Sequence, residues 1–396
     1  MIAFFDIPES LFNSVYWKKR QSEYTKLTIN KATGKPRTIH AVSKRLRTVQ
    51  RIALEKLQAE KKFQPSRHSH GFTPSKSIIT NAIFHRRSKR IIKMDLKDFF
   101  PSIHFGRVRG MFMAKPFEFG EKAAMLMAQL ACLDDKSGIL PQGGSLSPYI
   151  ANMMCRRLDK SLAQVARRHR CHFTRYADDM TFSTNDVSQK NIDDLIKEAS
   201  SVIEDENFFV NTDKTKILTP GERQVVTGII VNDGINVNRR YVRNLRATLH
   251  NCEKRGIASQ IERKLFRDNR CSRPNKFASN DYPSVDYFLR HLLGKINFYG
   301  SVVLSNGQDD RNSENSDLYK RIQTYENFLY KFYKLLQDDK AEFDKGIKDI
   351  VDKLISKRPE LVKKLDIQYQ AEKIRMGVRT KFREKIETQD KLAKLD

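Results

Sequence analysis

The feature that most constrains this chain is a run of alternating apolar and polar residues, 173–183, with two adjacent aspartates near its middle. The alternation predicts two short strands joined by a turn at Ala177–Asp178. Asp178 and Asp179 then lie together at the tip of a hairpin. Two carboxylates so close are costly unless a cation accompanies them, and hard divalent cations such as Mg²⁺ take oxygen ligands. A solvated acidic turn is the alternative for such a pair taken alone.

A second strand that ends in a carboxylate lies upstream. Residues 91–94 are mostly apolar, and Asp95 follows them. Carboxylates from separate strands can hold two metal ions roughly 3.5–4 Å apart, which stabilises the attacking and leaving oxygens of a phosphoryl transfer. The sequence therefore predicts a site for two Mg²⁺ ions, or Mn²⁺ in their place, on Asp95, Asp178 and Asp179.

The charge of the chain indicates a polyanionic partner. There are 74 Lys and Arg against 47 Asp and Glu, a formal net charge of +27. Residues 301–396 contain 21 Lys and Arg against 18 Asp and Glu, so residues 1–300 carry nearly all of the excess. A basic body around an acidic centre suits a nucleic acid whose reacting phosphate is held by metal.

The cysteines and the hydropathy pattern indicate the cellular compartment in which the protein works. Five cysteines form no C-x-x-C pair, which is typical of a reduced intracellular protein. His68 and His70 lack nearby ligand partners, so we expect no zinc site. No apolar run approaches about 18 residues, and no signal peptide is visible. We expect a soluble bacterial cytoplasmic protein without membrane contact.

The residues around the acidic centre resemble those of reverse transcriptases. Tyr176-Ala177-Asp178-Asp179 resembles the YxDD signature of that family, and Asp95 matches its first catalytic aspartate. Residues 142–148 resemble its Q-G-x-x-x-S-P block, although Gly144-Ser145-Leu146 stands where relatives often have Ala-Pro-Thr.

Two shorter motifs resemble those of retron reverse transcriptases. Asn81-Ala82-x-x-His85 is similar to the NAxxH motif before the palm, and Val226-Thr227-Gly228 to the VTG motif after it. A helix whose Asn and His satisfy local groups is the plain alternative for the first motif. The resemblance covers about residues 30–300.

The resemblance implies an α+β fold of the right-hand polymerase type, with fingers, an antiparallel palm sheet and a helical thumb. It places the N-terminal region and fingers in 1–90, and the palm in 91–235 with finger elements around 105–140. The helical thumb follows in 236–304, and a charged helical extension in 305–396. Apolar residues from Leu318 to Leu336 form a helical stripe that docks on the thumb or on a partner. A short helix is predicted around 347–354.

The resemblance also implies roles for individual residues. The catalytic residues are Asp95, Asp178, Asp179 and Lys214, with Lys216 in reserve as proton donor to the leaving pyrophosphate. The implied metal ligands are Asp95, Asp178, Asp179 and Leu96. The implied nucleotide contacts are Arg37, Phe100, Gln142 and Gly143; the Phe100 ring would exclude a 2′-hydroxyl, and Arg37 could equally be a surface arginine. The implied RNA contacts are Asn81, His85, Val226, Thr227, Gly228, Arg239, Arg240 and Arg243.

The function that the resemblance implies is RNA-directed DNA synthesis in a retron. Such enzymes bind a structured noncoding RNA, use dNTPs and prime from an internal 2′-hydroxyl of that RNA. Their product is a branched RNA–DNA hybrid, msDNA, and they act in antiphage defence with an effector protein. A group II intron-type or diversity-generating-type enzyme is the alternative. A different class remains open as well: an RNA–protein scaffold that restrains an effector, with the tail stripe as its docking face.

Overall fold

The computed structural model divides the chain into two units, residues 1–236 and 237–396. It describes residues 23–30, 34, 36–133, 137–270, 285–306 and 317–338, together with 10–11, 363 and 367–368. The division lies within two residues of the predicted start of the thumb at 236.

The first unit is built on a four-stranded antiparallel sheet in the order β4-β5-β3-β6. Its strands are β3 (Arg90–Asp95), β4 (His172–Tyr176), β5 (Asp179–Thr184) and β6 (Lys216–Leu218). The predicted hairpin is confirmed, with Ala177 and Asp178 between β4 and β5. All residues of β5 after Asp179 are buried, so this central strand is covered on both faces.

Helices with one apolar face pack on this sheet and on one another, and together they form the core. The first of them shows the local cause: the Ser43 side chain accepts a hydrogen bond from the backbone N–H of Leu46, and Val49, Ala53 and Leu57 follow on the buried face. The helices of this unit are α1 (Lys44–Ala59), α2 (Ile78–Ile83), α3 (Phe105–Met113), α4 (Glu121–Ala131), α5 (Ser147–Met154), α6 (Arg156–Arg168) and α7 (Gln189–Asp205).

A separate two-stranded ribbon precedes α1. Strand β1 (Tyr24–Asn30) pairs antiparallel with β2 (Pro36–Val42), and most of its side chains are exposed. The sequence predicts a short strand over residues 35–42, which corresponds to β2, whereas residues 1–30 show no pattern strong enough to indicate β1. The ribbon is joined to the Q-G block, since the His40 N–H donates to the Gln142 carbonyl at 2.8 Å.

The β-branched residues among 224–231 predict one continuous strand, but the structure has a tight hairpin there. Strands β7 (Val225–Val226) and β8 (Ile229–Ile230) pair with each other, and Thr227 and Gly228 form the turn. Both turn residues have positive φ, 47° and 86°, as a type I′ turn requires. The prediction of one continuous strand was wrong because nothing in Val226-Thr227-Gly228 except the glycine marks such a turn.

The second unit consists of long helices in the described residues. They are α8 (Arg239–Arg270), interrupted by a left-handed Gly256 with φ of 77°, α9 (Val285–Leu304) and α10 (Asp317–Asp338). The stripe on α10 is buried against α8 and α9, so its docking within the chain is confirmed. The predicted helix around 347–354 lies outside the described residues. Within the described part of the chain, no helix is both long and apolar enough for a membrane span.

Candidate active site

The three predicted catalytic aspartates lie at one end of the central sheet. Asp95 is the last residue of β3, and the antiparallel register places it opposite Asp179, the first residue of β5. Asp178 is in the turn before β5, and its carbonyl accepts a hydrogen bond from the Leu96 N–H at 3.1 Å. Strand pairing therefore brings together residues that lie more than eighty positions apart in the sequence.

The carboxylates of this cluster repel one another. The pKa of Asp178 is raised by burial and then by the neighbouring charges of Asp95 and Asp179. The pKa of Asp179 is raised mainly by burial, with a smaller contribution from Asp95. Negative charge is therefore held here at a free-energy cost that a bound cation would remove.

Lys214 supplies a positive charge to this cluster. Its Nζ lies 2.8 Å from Asp95 Oδ2, and this hydrogen bond raises the pKa of the lysine. The short 3₁₀ turn Thr212–Lys214 places it there, since the Asn211 N–H donates to the Asp95 carbonyl at 2.7 Å. Of the two lysines that the sequence left open, Lys214 contacts the carboxylates, whereas Lys216 lies in β6 opposite Lys93.

The donor set fits a hard divalent cation by its chemistry, although no ready-made ligand shell is present. In the part of the chain that the structure describes, no three carboxylate, imidazole or thiol groups converge as a metal site. Asp95, Asp178 and Asp179 nevertheless offer oxygen ligands at one sheet end, and Lys214 already binds Asp95 as a cation. These three residues would hold the metal, which when bound would neutralise the reacting phosphate oxygens. The Leu96 ligand remains a prediction.

A buried ion pair holds the turn at Ala177–Asp178, which is called the catalytic turn because it carries a predicted catalytic aspartate. Arg175 and Asp159 are both fully buried and form a two-pronged contact, Nε to Oδ1 at 2.6 Å and a terminal nitrogen to Oδ2 at 2.9 Å. Burial would lower the pKa of Arg175, but the charge and hydrogen bond of Asp159, together with the nearby Cys155 and Asp178, raise it. The remaining Arg175 nitrogen donates to the Ala177 carbonyl at 2.9 Å, so the pair fixes the backbone of the turn.

The segment around Gly71 also packs against the turn at Ala177. Asn152 Nδ2 donates to the Gly71 carbonyl at 2.7 Å, and its Oδ1 accepts from Arg175 at 3.1 Å. A Cβ on Gly71 would lie 2.8 Å from the Ala177 nitrogen, closer than side-chain carbons approach backbone. Sequence reasoning missed these residues. Two of them could have been found from the sequence, because a charged residue stands where an apolar one is expected. Asp159 is on the apolar face of α6, and Arg175 is inside an apolar strand.

The Q-G block contacts the ribbon rather than open space. Gly143 has a φ of 126°, and a Cβ on it would overlap the His40 carbonyl oxygen of β2. The backbone at Gly143 therefore lies against strand β2. Phe100 is half-buried beside the buried Phe99, with ring centroids 5.2 Å apart. Nucleotide contacts by Arg37, Phe100, Gln142 and Gly143 stay predictions.

The NAxxH and VTG segments pack together inside the protein. His85 is fully buried between the Ser183 and Thr174 hydroxyls, at 2.8 and 2.7 Å, and burial lowers its pKa to about 3. Asn81 Nδ2 lies 3.5 Å from Thr227 Oγ1. Direct RNA contact by the buried side chains of Asn81, His85 and Val226 does not fit these positions, because each is covered by protein. Thr227 and Gly228 at the turn are partly or fully exposed.

The basic residues predicted on the thumb begin the second unit. Arg239, Arg240 and Arg243 are exposed on the first turns of α8. Their contact with RNA remains a prediction from charge and position.

Comparison with known proteins identifies the family. The model of the family described as reverse transcriptase (RNA-dependent DNA polymerase) matches residues 29–246. The retron Mx65 and Mx162 reverse transcriptases of Myxococcus xanthus are 36% and 34% identical over 248 and 260 residues, each match covering 59% of this chain. The chain spans 57% and 53% of the length of these two relatives. The retron Ec86 reverse transcriptase of Escherichia coli is 31% identical over 57% of this chain and 68% of its own.

Among solved structures, a Candida albicans telomerase with a fragment of telomeric RNA is similar at a TM-score of 0.42 and 13% identity, over 87% of this chain and 70% of its own. The predicted α+β right-hand polymerase fold follows from the family match and from the antiparallel sheet that carries the aspartates. The match spans more than half of the sequence, and the chain therefore belongs to the reverse transcriptase family and, within it, to the retron reverse transcriptases.

Proposed function

We propose that this protein is an RNA-directed DNA polymerase of a retron. The observation that carries the proposal is the meeting of Asp95, Asp178 and Asp179 at one sheet end, with Lys214 as a cation beside them. Family membership supports the same activity. In the reaction a primer hydroxyl oxygen attacks the α-phosphorus of a dNTP, and the bond from that phosphorus to pyrophosphate breaks.

The residues of the site divide this chemistry between them. Asp95, Asp178 and Asp179 would bind two Mg²⁺ ions, or Mn²⁺. Lys214 is 55% exposed and keeps its proton, since Asp95 raises its pKa, so its Nζ can protonate the leaving pyrophosphate. Arg37, Gln142 and Gly143 would contact the dNTP, and Phe100 would lie beneath its sugar.

The finer proposal concerns the template and the setting. The protein would bind a structured noncoding RNA, prime from an internal 2′-hydroxyl and leave msDNA in the bacterial cytoplasm, in antiphage defence with an effector. An intron-type or diversity-generating enzyme is the alternative within the family. The scaffold alternative loses its docking face, because α8 and α9 cover the α10 stripe.

Primer extension tests the activity. The purified full chain, given an RNA template with an annealed DNA primer and Mg²⁺, is expected to incorporate dNTPs and to discriminate strongly against rNTPs. Phe100→Ala should weaken this discrimination, because the ring that excludes the 2′-hydroxyl is gone. The products are resolved on a denaturing gel. No extension on RNA templates, by a protein that melts cooperatively, would contradict the proposal.

A further inference from the structure

A basic pocket lies at the opposite end of the central sheet from the aspartates. Its volume is about 550 Å³. Strand β5 connects the two places, running from Asp179 in the active site to Thr184 at the pocket. Six strand residues span roughly 17–20 Å, so the pocket is separate from the reacting centre. The side chains that give it its chemistry are Phe84, Arg86, Ser88, Arg170, His172 and Asn185.

The charge of this pocket is positive. Arg86, Arg170 and His172 are exposed. The one acidic residue in the lining, Asp186, uses its carboxylate oxygens within the protein, accepting from the Ser188 N–H at 2.9 Å and from Asn191 Nδ2 at 3.1 Å. Arg86 and Arg170 outnumber this one carboxylate, which is hydrogen-bonded within the protein, so the net positive charge attracts an anion.

The basic surface continues from the pocket along α6. The exposed side of this helix carries cations up to Arg168, two residues before Arg170. Arg157 and Arg168 are paired with Glu206 and Glu198. The other exposed cations of this face are Arg156, Lys160 and Arg167. Such a track is longer than one phosphate group and suits a chain of phosphates.

An exposed aromatic ring stands at the edge of the same pocket. Phe84 is 53% exposed although its neighbours Ala82 and His85 are fully buried. Its ring lies edge-on to the His70 ring, with centroids 5.5 Å apart, and the rest of it faces solvent. Aromatic faces beside arginines bind unpaired bases by stacking while the arginines contact the phosphates.

We propose that this pocket binds an unpaired segment of RNA that is not being copied, with a base on Phe84 and phosphates on Arg86 and Arg170. The proposal rests on the proposed function, because it assigns a second contact surface for the RNA of the same enzyme. The pocket lies away from the aspartates, so the RNA bound there would not be the template end that is being copied in the active site. The exposed ring and the row of cations favour RNA over an acidic protein, which would not need a stacking surface.

RNA binding by a double variant tests this surface. Arg86→Ala/Arg170→Ala is titrated with a labelled unstructured 20-nucleotide RNA between 50 and 300 mM KCl, beside the wild type. We expect about tenfold weaker binding at 150 mM, and a salt slope smaller by about 1.4, since each phosphate contact to a single strand contributes about 0.7. Phe84→Leu keeps the apolar volume but not the stacking face, and should weaken binding roughly tenfold. Arg86→Lys/Arg170→Lys, which keeps both charges, should retain most of the affinity.

Extension of a short DNA primer on a homopolymer RNA template distinguishes this surface from the active site. Both alanine positions lie away from the aspartates, so extension should stay within twofold of the wild type at saturating template. Unchanged RNA affinity in the double variant would overturn the proposal while leaving the polymerase function standing. Displacement of the RNA by polyglutamate as readily as by unlabelled RNA would also overturn it, in favour of an acidic protein. Failure of extension in the wild type would instead count against the proposed function alone.

Discussion

Asp178→Asn is expected to lower RNA-templated DNA synthesis at least about a thousandfold, because the turn then lacks the carboxylate that we propose shares the metal with Asp95. Binding of template RNA should stay within about twofold, since the basic surfaces are unchanged. The measurement is primer extension with dNTPs, together with RNA titration of the same preparation. Asp194→Asn, an exposed aspartate on α7, is the matched control and should extend like the wild type. Synthesis that survives in Asp178→Asn would contradict the assignment of the site.

The same variant should be more stable than the wild type when metal is removed. Burial and like charges raise the pKa of Asp178, so the folded protein holds its proton more tightly than the unfolded chain does. Stability of the metal-free wild type therefore falls as pH rises from the unfolded value near 4 through the raised folded value. In EDTA, the melting temperature of Asp178→Asn should exceed that of the wild type by roughly 2–4 °C at pH 8, and by progressively less as the pH falls towards 4. A variant that is less stable at pH 8 would contradict this view of the cluster.

Asp159→Ala is expected to lower the free energy of unfolding by about 3–5 kcal/mol, because it leaves the fully buried Arg175 without its counter-charge. Urea denaturation measures this change. Asp159→Leu/Arg175→Met removes both charges and should recover most of the stability.

The double variant distinguishes two roles of the ion pair, stabilising the fold and holding the catalytic turn in place. It restores no donor to the Ala177 carbonyl, so DNA synthesis should remain at least about tenfold below the wild type even where the protein is folded. Recovery of both stability and synthesis in the double variant would show that the pair acts only as a stabilising contact. Loss of Mg²⁺ affinity along with synthesis is expected for a displaced turn.

The central sheet and its aspartates could be predicted because their pattern is local. Apolar alternation around Asp178 and the buried run before Asp95 define two strand segments, and the turn follows from the residues between them. The burial of the α10 stripe follows in the same way from its helical spacing.

The features that escaped prediction depend on contacts distant in sequence. The partner of Gly143 is the backbone of His40, about a hundred residues earlier, and no spacing within the Q-G block indicates it. His85 was expected at the RNA because its motif resembles a recognition element, but two hydroxyls from β4 and β5 enclose it. The turn at Thr227 escaped because β-branched residues rarely take positive φ.

The measurement that most directly tests the retron polymerase is extraction of nucleic acid from the full chain, expressed with its native upstream DNA, beside Asp178→Asn. We predict that the wild type carries a short DNA whose mobility shifts after RNase or debranching treatment, and that the variant carries none. Bound RNA without DNA in both preparations would contradict a retron polymerase and would indicate a different template system or an RNA scaffold.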